Sequence, residues 1–111
     1  MLQELALSRR TADGETIVYV TGELDAHTAL DLAEALGKQL RPGVHDVIVD
    51  VGDVTFMSAA GLQALQEAAE AAHATGVRLR VDVGKSQAVR RVLLAAGGEH
   101  LLPLTGAARA A

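Results

Sequence analysis

The sequence predicts an α/β fold. A mixed β-sheet opens with a hairpin and packs against about three to four α-helices, in the order ββαβαβα with a further βα at the end. Three observations carry this reading. Two β-prone runs flank the turn signal Asp13-Gly14. Asp46 to Val51 is almost uninterruptedly apolar, as in a strand covered on both faces and parallel to a neighbour. Three later stretches carry apolar residues at helical spacing. Strands that alternate with helices after a hairpin imply a sheet layered against those helices.

Taken in order, Leu2 to Ser8 alternates weakly and reads as a first strand. Arg9 to Glu15 holds the turn, where the glycine supplies a positive φ. Thr16 to Thr21 is rich in β-branched residues and pairs back on the first strand. Gly22-Glu23-Leu24-Asp25 leads into a helix whose stripe is Ala29, Leu32, Ala33, Leu36 and Leu40, stopped by Pro42-Gly43. After the Asp46–Val51 strand and a segment to Met57, a second helix runs from Ser58 to Ala74. It buries Leu62, Leu65, Ala69 and Ala72, turns Gln63, Glu67 and Glu70 to water, and closes at Gly76. Val77 to Val83 alternates, with Arg78, Arg80 and Asp82 on the open face. A third helix, Ser86 to Ala96, turns Val89, Val92, Leu93 and Ala96 inward and ends at Gly97-Gly98. Leu101 to Leu104 reads as a last short strand.

The chain has 111 residues. Two separate cores would each sit near the roughly 40–60-residue limit of independent folding, so residues 1–111 read as one domain, with 105–111 as a short terminal helix or tail. Half the residues are hydrophobic and 22% are charged, a globular composition. There is no cysteine, which removes disulfides, thiolate nucleophiles and cysteine metal sites together. A net charge of −4, no Trp, one Tyr and one Phe argue against nucleic-acid binding by phosphate contacts or base stacking. Met1 to Arg10 has no long apolar run, so neither a signal peptide nor membrane insertion is expected and the location reads as cytoplasmic. Arginine outnumbers lysine eight to two, which coding rich in G and C explains without any function.

Catalytic motifs fail on spacing. Gly84-Lys85-Ser86 resembles the end of a phosphate loop, but the required earlier glycine is Leu79, inside a strand. Ser86 reads better as a helix N-cap. Ser58 is flanked by Phe56 and Ala60 rather than the glycines of a nucleophile elbow. The four histidines, His27, His45, His73 and His100, show no metal-ligand spacing. Asp50 and Asp53 lie at a strand end, where a turn role suffices. The chain reads as a non-enzyme with no cofactor and no metal.

Two strand-to-helix junctions are more specific: Gly22-Glu23-Leu24-Asp25-Ala26-His27-Thr28-Ala29 and Val54-Thr55-Phe56-Met57-Ser58-Ala59-Ala60-Gly61-Leu62. With Val89-Arg90-Arg91-Val92-Leu93 on the third helix, they resemble STAS domains, specifically bacterial anti-sigma factor antagonists. Members of that family carry G-E-L-D-x-x-T-A, F-M/I-D-S-S/T-G-L and V-R-R-V-L in this order. The resemblance runs from the hairpin to about Leu104. It implies a STAS-like fold and a regulatory module that binds an anti-sigma factor of the serine kinase type and so frees a sigma factor. In the family, the kinase phosphorylates the first serine of the second motif and thereby dissolves the complex. A helix N-terminus tolerates such an anion, while a charge of about −1.5 to −2 repels an acidic or close-packed partner.

This chain departs at that position. The family's aspartate is Ser58, its phospho-acceptor is Ala59 and the next Ser/Thr is Ala60. Ala59 has no hydroxyl, so an unswitched or atypical antagonist is expected. Ser58 stands one residue early and reads as an N-cap in preference to a displaced phosphosite, because a kinase must hold the acceptor within reach of its base. The resemblance puts the partner surface on Asp25, His27 and Thr28 together with Met57, Ser58, Ala59, Ala60, Gly61, Leu62 and Gln63. Asp25 also reads as a cap, Thr28 with Asp31 as a capping box, Gly61 as a site of close backbone approach, and Leu30 as an edge of the contact patch. A second reading is an accessory subunit docked on a transporter ATPase, and a weak homodimer is compatible with either.

Overall fold

In a computed structural model, which describes residues 5–106 and 108, the elements are β1 (Ala6–Ala12), β2 (Glu15–Leu24), α1 (Thr28–Gly37), β3 (Asp46–Met57), α2 (Ala59–Ala74), β4 (Arg78–Asp82) and α3 (Gln87–Ala96). The sheet has four strands in the order β1-β2-β3-β4. β1 and β2 are antiparallel, with Ala12 opposite Glu15. The turn between them places both Asp13 (φ 53°) and Gly14 (φ 78°) in the left-handed region, as the tightest hairpins require. A side chain at position 14 would also strike His45, with Cδ2 at 2.7 Å.

β2 pairs parallel with β3, and β3 parallel with β4. The apolar run of β3 is therefore central. Val47, Val49 and Val51 join Val18, Val20, Leu32, Leu36, Leu65, Val81, Val89 and Leu93 in one core. Ile17 and Ile48, register partners of opposite parity, are buried on the other face. Each of β2, β3 and β4 feeds a helix, so all three helix N-termini lie at the same edge of the sheet, beyond the strands' carboxyl ends.

Several boundaries differ from the sequence reading. Among the described residues β1 runs over Ala6–Ala12, continuing past the expected end at Ser8, and residues 1–4, where the expected strand begins, lie outside the described residues. Every residue of this edge strand is exposed, so Arg9, Arg10 and Thr11 continue it at no hydrophobic cost. β3 runs on to Met57 through register shifts between Tyr19 and Thr21 and between Gly22 and Glu23 of β2. Such shifts re-aim side chains: Val54 and Met57 point inward, Thr55 and Phe56 outward. Ala33 and Ala96 are exposed, and Leu40 lies beyond α1. Asp82 is buried, not open to solvent, and its carboxylate accepts the Gly84 N–H at 3.0 Å. In place of a strand over 101–104 there is a 3₁₀ turn, Glu99–Leu101, and a single parallel bridge between Val81 and Leu104. The expected terminal helix or tail falls mostly outside the described residues.

Candidate functional site

The β2–α1 and β3–α2 junctions meet at the carboxyl edge of the parallel strands. Leu24 stands opposite Met57 in the β2–β3 register. The Ser58 N–H donates to the Leu24 carbonyl at 2.9 Å, which locks the two motifs into one lip.

On the first junction, Asp25 and Thr28 cap each other. The Asp25 carboxylate accepts the His27 and Thr28 N–H groups, each at 2.9 Å, while the Asp25 N–H donates to Thr28 Oγ1 at 2.9 Å. The Thr28 hydroxyl donates in turn to the Glu23 carbonyl at 2.8 Å. This is a capping box three residues upstream of the Thr28–Asp31 pair expected from sequence. His27, already in helical backbone at φ −78° and ψ −52°, makes no side-chain cap. The Thr28 backbone N–H is foremost in holding the Asp25 carboxyl below the usual carboxylate range; partial burial opposes the shift, and the Thr28 hydroxyl and His27 reinforce it. Asp25 therefore stays anionic at the mouth of α1.

On the second junction, Ser58 is extended (φ −95°, ψ 173°), and its hydroxyl oxygen accepts the Gly61 N–H at a long 3.4 Å. Among the described residues no base hydrogen-bonds this hydroxyl. Gly61 has no room for a side chain: a Cβ there would meet Leu24 Cγ and Met57 Cγ, both at 2.9 Å. The first turn of α2 is thus pressed directly onto the end of β2.

Burial divides the expected site residues. Met57 (4%), Leu62 (6%), Gly61 and Thr28 are buried and set the backbone from beneath. His27, Ala59 and Gln63 are exposed, and Asp25, Ser58 and Ala60 are partly so. Gln63 extends along α2 to donate to Glu67 at 3.0 Å. Phe56, outside the expected set, is also open at 48% exposure, and so is Leu30, expected at the edge of the patch, at 70%. No local alternation marks Phe56, because the register shifts that turn Thr55 and Phe56 outward come from pairing with β2.

Among the described residues no group of three or more His, Cys, Asp or Glu comes together to hold a metal. No helix among them is long and apolar enough to cross a membrane. The surface that results is a small-residue platform flanked by a carboxylate, with no nucleophile–base pair at Ser58.

The family model for the STAS domain matches residues 6–108. A curated anti-sigma-B factor antagonist of Staphylococcus epidermidis is 42% identical over 45 residues, covering 40% of this chain and 42% of that protein. The match thus spans less than half the length of that relative. The crystal structure of an anti-sigma factor antagonist from Mycobacterium paratuberculosis superposes with a TM-score of 0.75 at 25% identity, over 91% of this chain and 85% of the other. The phosphorylated form of the Bacillus cell fate determinant SpoIIAA shares the fold, with a TM-score of 0.69 at 17% identity over 95% and 96% of the two chains.

Proposed function

This chain belongs to the STAS domain family, and on that premise we propose that it is an anti-sigma factor antagonist, a non-enzymatic cytoplasmic module that binds an anti-sigma factor of the serine kinase type and so releases a sigma factor. The observation that carries this reading is the single lip made by the two junctions, tied by the Ser58 N–H to the Leu24 carbonyl. Similarity to the Staphylococcus and Mycobacterium antagonists supports it. In the proposed contact, Asp25, His27, Ser58, Ala59, Ala60 and Gln63 meet the kinase, while Thr28, Met57, Gly61 and Leu62 fix the backbone below them.

Alanine at position 59 removes the oxygen that a kinase would phosphorylate. Ala59 is the first residue of α2 and is exposed, so a partner surface can close over it without desolvating a hydroxyl. The antagonist so described holds its kinase whether or not ATP is present. Ser58 is one residue away, with its oxygen turned back to the Gly61 N–H as a cap.

Affinity capture with the tagged chain, followed by mass-spectrometric identification of the bound ATPase, tests the assignment. A stand-alone serine kinase is the expected partner. A transporter ATPase would instead assign the chain as an accessory subunit of a transport system.

A further inference from the structure

From Val83 to Gly98 there is no acidic residue, although the whole chain has 14 acidic against 10 basic ones. This stretch carries Lys85, Arg90 and Arg91, all exposed. Among the described residues none of the three is ion-paired; the ion pairs join Lys38 to Glu34 and Arg78 and Arg80 to Asp46. A local excess of positive charge therefore stands on an acidic protein.

Lys85, Gln87 and Arg91 form one wall of a crevice of about 410 Å³ whose other wall is Gly52, Asp53 and Thr55 of β3. Gln87 and Arg91 are four residues apart on α3 and share a helix face. Asp53 already has a partner within the protein. The walls are fixed to each other by Ser86, whose hydroxyl donates to the Val54 carbonyl at 2.7 Å and accepts the Val89 N–H at 3.2 Å. Thr55 continues directly into Phe56 and Ser58, so the crevice opens beside the lip described above.

We propose that this crevice docks an acidic segment of a partner protein, with Lys85 and Arg91 as its two charge contacts. A preformed slot whose wall carries two cations that are not ion-paired among the described residues matches carboxylates spaced along a peptide, and complementary charge of this kind steers encounter and fixes orientation. The patch is too small to neutralise many phosphates of a nucleic acid. The inference extends the partner surface proposed above and shares its premise that the chain docks on a protein.

Amide shifts of the ¹⁵N-labelled chain, followed during addition of a blocked hexapeptide of Asp and Glu, test it. The expected result is saturable shifts confined to residues 52–55 and 84–91. The double variant Lys85→Glu with Arg91→Glu weakens this binding about ten-fold, as does the milder Lys85→Gln with Arg91→Gln in smaller measure, whereas Arg41→Glu leaves it unchanged. Absence of saturable shifts, or equal affinity in the double variant, overturns the proposal. So does inorganic phosphate that produces the same shifts at the same concentration, since the site is then a simple anion site. No kinase enters this titration, so its failure leaves the antagonist reading standing, and capture of a partner other than a kinase leaves the crevice standing.

Discussion

Gly61 on α2 lies so close to Leu24 at the end of β2 that a Cβ would sit 2.9 Å from Leu24 Cγ. Both Leu24 and its register partner Met57 are buried, so neither can swing into solvent to make room. The contact between strand and helix that shapes the site is therefore a backbone-to-side-chain contact that only glycine permits.

Replacing Gly61 by Ala is accordingly expected to destabilise the chain. Overpacking of about 1–3 kcal/mol exceeds the gain of about 1 kcal/mol in helix propensity, and Gly61→Val is worse. Urea denaturation measures this directly. A higher midpoint for the alanine variant would mean that the α2–β2 approach has slack.

Asp25 gives a pH-dependent counterpart. Its carboxyl is held below the usual carboxylate range, first by the Thr28 N–H. A group with a lowered folded-state pKa contributes stability above its unfolded value and loses it as pH falls through the folded value. Asp25→Asn should therefore melt at a lower temperature than the parent chain at neutral pH, and the two curves should converge in strong acid. A constant difference at every pH would remove the charge of Asp25 from the account.

Ser86 links α3 to β3 through two hydrogen bonds while itself buried. Ser86→Ala leaves the Val54 carbonyl without that donor and removes a cap, at a cost of about 2 kcal/mol. Thermal and urea unfolding check the value. Faster amide exchange over residues 87–91 should accompany it, since the first turn of α3 loses its anchor.

Much of this architecture was legible in the residues themselves. Asp13-Gly14 announced the hairpin, the valines of β3 its central place, and Leu32 with Leu36 the buried side of α1. Sequence failed where side chains carry no hydrophobic signal or where tertiary contacts reverse one. Arg9 and Arg10 belong to a wholly exposed edge strand and read as turn. Asp82 looks solvent-facing by alternation, yet is buried where it accepts the Gly84 amide. Leu101–Leu104 has strand composition but forms a 3₁₀ turn and a single bridge, with the Val81 N–H donating to the Pro103 carbonyl and the Thr105 N–H to that of Val81. For the site, the family resemblance implied that the two junctions share one surface. The division between exposed Ala59 and Gln63 and buried Met57 and Leu62 depends on the register shifts in β3, which no local pattern reveals. Thr28 shows the same limit: its capping partner is Asp25 behind it rather than Asp31 ahead.

The central proposal is that this chain acts as an antagonist that binds an anti-sigma kinase and escapes phosphorylation because position 59 is alanine. Intact-mass measurement after incubation with the cognate anti-sigma kinase and ATP tests it most directly, with complex formation followed in the same mixture. The account predicts no added mass and a complex that persists in ATP, while Ala59→Ser gains one phosphate and releases the kinase. A phosphate mapped to Ser58 in the parent chain, together with loss of binding, would contradict it.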